Sequence, residues 1–194
     1  MTILEGLRII DRAGLPHPEW EFVKSLKDLK KFPKIKDYVG WTIRTVEVRK
    51  GRWKNVYANW LPKKLVPAKI NEFQKRLKGK ATFVVYPSWK WKKGGTVLIE
   101  KDRLVIEAVN GAIVDLMRHG KVTARYVFQR GKLVSSDGKT SFLTSAEIHK
   151  VVEAKKIKRS GILLEWGVTT QNKFIFYRVE DLREAARLLL KKYS

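Results

Sequence analysis

Cysteine is absent from this chain of 194 residues, histidine occurs three times and methionine twice. Without Cys there is no disulfide framework, no thiolate zinc site and no thiol nucleophile. His17, His119 and His149 are widely separated, so no spacing suggests a His-based metal cluster or a nucleophile triad. Acids are scarce, with 19 Asp and Glu against 42 Lys and Arg, a formal net charge of +23. Also missing is any apolar run near the ~20 residues that cross a bilayer. The opening MTILEGLRIIDR carries charges where a secretory leader needs an unbroken apolar stretch. The expectation is a cytoplasmic protein with no membrane partner, whose chemistry runs on carboxylates, Arg and Lys.

What is present suffices for a folded core: 44% of residues are hydrophobic, too many for a disordered polycation. The abundance of Lys, Val and Ile with little Met and no Cys suits a thermophile. The positive charge makes an anionic partner the first to consider, and its distribution is uneven. From Arg49 to Lys93, 45 residues hold 14 Lys and Arg and a single acid, Glu72, a net +13. Trp53, Tyr57, Trp60, Tyr86, Trp89 and Trp91 lie in the same stretch. Aromatics within a basic segment are how single-stranded nucleic acid is commonly held. This makes Arg49, Lys54, Trp89, Trp91 and Lys93 candidate contacts to RNA or single-stranded DNA; the alternative is that the rings are core and the lysines cover solvent. Ser88 to Gly95, SWKWKKGG, reads as a mobile basic loop.

Thr2 with Glu5, Ser25 with Asp28 and Thr144 with Glu147 have capping spacing and predict helices over the first residues, Ser25–Phe32 and Ser145–Lys158. Ile70, Phe73 and Leu77 mark an amphipathic helix after Pro67, and Gly111–Gly120 brackets a short one. β-Branched runs at Trp41–Val48 and Arg52–Trp60 read as a hairpin, and further strands follow at 81–87, 96–100, 103–109 and 124–134. GILLEWGV and KFIFYRV form a last hairpin before a terminal helix opened by Asp181 and Glu184. Hairpins with intervening helices predict an α+β protein with mixed or antiparallel sheets, in two lobes, 1–79 and 80–194. Alternation along GILLEWGV puts Leu163, Glu165 and Gly167 on one face and Trp166 on the other. Glu165 is then either a carboxylate facing a cleft or a surface charge.

In order, several segments resemble the nucleotide-binding domain of the phosphoenolpyruvate synthase and pyruvate phosphate dikinase family, a branch of the ATP-grasp fold. They are ILEGLRIIDRAGLPHPEW, VGWTIRTVEVRKG, FVVYPSWKWKKGGTVLIE, LVIEAVNGAIVDLMRHGKVTARYVFQRGKLV, LTSAEIHKVVEAKKI and ILLEWGV. The resemblance implies that ATP and magnesium bind between two lobes. Arg44 and the loop lysines Lys90 and Lys92 would lie on phosphates, Glu165 near magnesium, and Glu107 at the nucleotide or in an ion pair. The family's "Q-x-R" on the final strand is replaced by Phe176-Tyr177-Arg178-Val179-Glu180, and Arg44 lacks the usual following serines. Phosphotransfer to pyruvate is not implied. What survives is nucleotide binding without turnover, or ATP-dependent ligation or transfer to an acidic or RNA substrate.

Overall fold

The computed structural model describes residues 1–31, 38–48, 56–78 and 81–183. They form two units: Thr2–Glu5 with Pro18–Lys90, and Met1, Gly6–His17 and the chain from Trp91 onward. Helix α1 (Ile3–Arg12) opens on the expected capping box: the Thr2 amide donates to Glu5 Oε2 (2.7 Å) and the Glu5 amide to Thr2 Oγ1 (3.2 Å).

The unit ending at Lys90 is built on a sheet of β1 (Glu21–Val23), β2 (Gly40–Val48), β3 (Tyr57–Leu61) and β4 (Ala81–Ser88), in the order β1-β4-β2-β3. Helix α2 (Val66–Arg76) starts with Pro67, which needs no amide partner there, and turns Ile70 and Phe73 onto Trp41, Ile43 and Phe83. The expected helix after Ser25 is a tighter 3₁₀ segment, Leu26–Lys31. Asp28 Oδ2 accepts the Ser25 and Lys24 amides, and these bonds hold its carboxyl below the usual carboxylate range.

Two expectations change here. The lobe boundary at residue 79 is displaced: β4 pairs with β2 from Ser88↔Gly40 to Ala81↔Val48, so the segment after Gly79 completes this first sheet. Nor is Ser88–Gly95 a loop, since β4 runs to Ser88 and β5 begins at Trp91. Strand pairing satisfies the backbone that composition alone marked as loop.

The other unit holds β5 (Trp91–Ile99), β6 (Arg103–Asn110), α3 (Val114–His119), β7 (Ala124–Gln129), β8 (Lys132–Gly138), α4 (Ser145–Val152), β9 (Ile162–Thr169) and β10 (Phe174–Asp181). Its six strands run β10-β9-β5-β6-β7-β8, every described neighbour antiparallel. Helix α4 starts on the predicted Thr144–Glu147 box and continues as a 3₁₀ turn, Glu153–Lys156. The terminal helix expected from Asp181 lies, beyond Arg183, outside the described residues.

One face of this sheet is core: Val97, Ile106, Tyr126, Leu164, Trp166 and Phe176 pack with Ile10 of α1 and Val151 of α4. Gly95 is required there, because a Cβ would collide with the Glu107 carbonyl and the Trp166 ring. Gly95→Ala is expected to destabilise the protein by about 1–3 kcal/mol through overpacking, read as a lower urea midpoint; an unchanged midpoint would show that Trp166 does not occupy that space.

Candidate functional site

The opposite face of the six-stranded sheet carries charge in register; it is buried at Glu165 and Thr96 and exposed at Arg125 and Asp137, towards the outer strands. Arg178 of β10, Glu165 of β9, Thr96 of β5, Glu107 of β6, Arg125 of β7 and Asp137 of β8 lie directly across from one another. Half-buried Leu163, Leu98, Val105 and Val127 form the adjoining row.

Glu165 is only 4% exposed, and Arg178 Nη1 reaches its Oε1 at 3.0 Å. The same guanidinium pairs through Nη2 with Glu180, so Arg178 links two carboxylates. A buried carboxylate is costly to desolvate and persists when charge-assisted hydrogen bonds offset that cost. Glu107 pairs with Arg125, whose Nε and Nη2 reach Oε1 at 2.9 and 2.6 Å, which makes the ion-pair alternative for Glu107 the observed one.

Arg178 and Glu180 were not candidates from sequence. A regular hairpin would set Tyr177 opposite Glu165, but a bulge between Phe176 and Arg178 moves the arginine there. The displaced Tyr177 ring lies 5.1 Å from that of Trp91, and Trp91 covers Gly167, where any Cβ would strike it.

The remaining predicted residues separate. Lys93 points to the core face, where Nζ donates to Glu147 Oε2 and to the Phe142 carbonyl, both at 2.7 Å. It is a tether for α4 and not a free contact. Lys92 is exposed, with Nζ 3.2 Å from Asn172 Oδ1. Arg44 belongs to the other unit, with its guanidinium over the Tyr57 ring at 5.6 Å. Lys90 is exposed and also lies in that unit. Trp89 and Tyr86 are buried, at 5% and 6% exposed, whereas Tyr57, beneath Arg44, and Trp60 are exposed, at 51% and 63%. Arg49, Trp53 and Lys54 lie outside the described residues.

No protein-family model and no curated protein matches the sequence. Solved structures do. N5-carboxyaminoimidazole synthetase from Staphylococcus aureus, complexed with ADP, is 12% identical with a TM-score of 0.56, over 93% of this chain and 44% of that one. Phosphoribosylamine–glycine ligase from Thermotoga maritima is 12% identical with a TM-score of 0.56, over 93% and 47%. The ATP-grasp ligase PsnB, complexed with a minimal precursor, is 16% identical with a TM-score of 0.50, over 93% and 52%. The chain therefore has an ATP-grasp fold, and it spans about half the length of the structures it matches. Among the described residues no helix is long and apolar enough to cross a membrane.

Two predictions follow from these pairs. Arg178→Ala is expected to cost about 3–5 kcal/mol by leaving a buried carboxylate without its guanidinium, with much of the loss recovered in the Arg178→Ala, Glu165→Gln double variant; simple additivity in urea unfolding would contradict the coupling. At Glu147, burial raises the carboxyl pKa, but hydrogen bonds from Lys93 and Thr144 outweigh it and hold it below the usual range. A depressed carboxylate stabilises the fold above its unfolded pKa and loses that contribution as pH falls through the folded value. Lys93→Met should therefore lower stability at neutral pH and flatten the decline of Tm below about pH 4.5, the ordinary Glu value; an unchanged acid limb would mean the pair is not formed.

Proposed function

We propose that the charged face of the six-stranded sheet binds ATP with magnesium, on the Glu165–Arg178–Glu180 arrangement. The observation that carries this reading is the buried Glu165, joined to Glu180 through Arg178 in a chain with an ATP-grasp fold. The donor chemistry fits. Magnesium takes one or two carboxylates and completes its shell with water and phosphate oxygens, so Glu165 and Glu180 suffice as its protein ligands. Bound there, magnesium would offset phosphate charge. Exposed Lys92 supplies a cation for phosphates, while Arg178 and Arg125 hold the carboxylates in place, and positioning with charge stabilisation is what phosphoryl chemistry asks of a protein. The order of motifs supports the narrower kinship with the nucleotide domain of the phosphoenolpyruvate synthase family, and with it a nucleotide contact from Glu107. The acceptor, if turnover occurs, is an acidic or RNA substrate.

A second reading is favoured by exposed Tyr57 and Trp60 in a segment of strong positive charge: a non-catalytic protein that holds RNA or single-stranded DNA on those rings.

The test is a thermal-shift titration of nuclease-treated protein with magnesium ATP. Stabilisation should grow with nucleotide concentration, about 2.7 kcal/mol at a hundredfold excess over Kd. It should require magnesium and be lost in Glu165→Gln. No shift up to millimolar nucleotide would overturn the reading.

A further inference from the structure

The core of the unit from Trp91 onward reaches the surface at one end of its sheet, in a groove of about 480 Å³. Ile99, Leu104, Phe128, Val152 and Ile157 form its floor. These side chains belong to the core-facing set, so the groove opens on the opposite side of the sheet from Glu165. Its rim is made by the β5–β6 turn, the β7–β8 turn and the segment after α4.

That rim is strongly cationic. Arg103 is matched by Glu100 and Arg159 by Asp181. Lys101, Arg130, Lys155 and Lys158 are exposed and have no carboxylate partner among the described residues; exposed Asp102 is the other acid of the rim, which leaves these four cations a net +3. Arg130 is also held in the left-handed region, φ +49, followed by Gly131 at +80. The β7–β8 turn thus asks for Asn or Gly at position 130 and carries an arginine at some cost in strain. A strained cation on the rim of a groove is a reason to look for a ligand.

We propose that this groove binds a segment of single-stranded nucleic acid, with a base on the apolar floor and neighbouring phosphates on Lys101, Arg130, Lys155 and Lys158. A nucleotide chain alternates a planar apolar-faced group with a fixed negative charge, which is the pairing that the floor and rim present. A volume of about 480 Å³ falls in the range of pockets for ligands of nucleotide size. The net charge of +23 favours a polyanion over a single small anion. The site lies on the other side of the sheet from the proposed ATP face and does not depend on it.

The experiment is fluorescence anisotropy of the full chain with a labelled oligouridylate, with polyglutamate as competitor, across a salt series. Contacts from four cations to a single strand give a log–log salt slope near −3, falling by about 0.7 for each contact removed. Lys155→Glu with Lys158→Glu should weaken binding by about tenfold or more. Arg130→Gly is the diagnostic variant: it relieves the left-handed strain, so Tm should hold or rise while affinity and slope fall. The proposal is overturned if Arg130→Gly and the lysine double variant bind like the wild type, if Trp60→Ala abolishes binding that these variants leave intact, or if polyglutamate displaces the oligonucleotide at equal charge.

Discussion

Arg178 between Glu165 and Glu180 is the contact on which the charged face depends. It offsets the cost of burying a carboxylate at 4% exposure in a six-stranded sheet. Paired, that carboxylate gives the face a fixed charge pattern from which the rest follows: Thr96 beside it, then Glu107 with Arg125, and finally Asp137 at the outer strand. Preorganised charge of this kind needs little rearrangement when a charged ligand arrives.

The two faces of that sheet divide the work of the sequence. Apolar positions on alternate residues close over α1 and α4, and Lys93 with Glu147 ties α4 down through a partly buried pair. The positions between them carry one charged row, from Arg178 to Asp137, beside an apolar one, Leu163, Leu98, Val105 and Val127. Because the side-chain period of a strand is two, a one-residue slip would exchange the faces. Gly95 under Trp166 and Gly167 under Trp91 pin the register by allowing approaches that no other residue would permit.

The legible parts of the fold were those written locally. The Thr144–Glu147 box, the stripe of α2 and the alternation of GILLEWGV each place their own residues, and the α+β arrangement with antiparallel sheets follows from their order. What could not be read was pairing. A bulge at Tyr177 is invisible in FIFYRVE, yet it decides that Arg178 meets Glu165. The segment from Ser88 to Gly95 looks like a basic loop by composition, but its order comes from β2 and β9, far away in sequence. Trp89 is buried and Lys93 is consumed by Glu147, whereas Trp60, with the same composition around it, is exposed. Burial of an aromatic is set by the sheet, and local sequence does not carry it.

The central claim is that the charged face is the ligand face, and methyl NMR of the labelled protein titrated with magnesium ATP tests it most directly. The account predicts shifts at Leu98, Leu163, Val105 and Val127, which line that face, with Val97, Ile106 and Leu164 on the core face unmoved. Shifts confined to core-face methyls or to those of the groove, or none at saturating nucleotide, would contradict it.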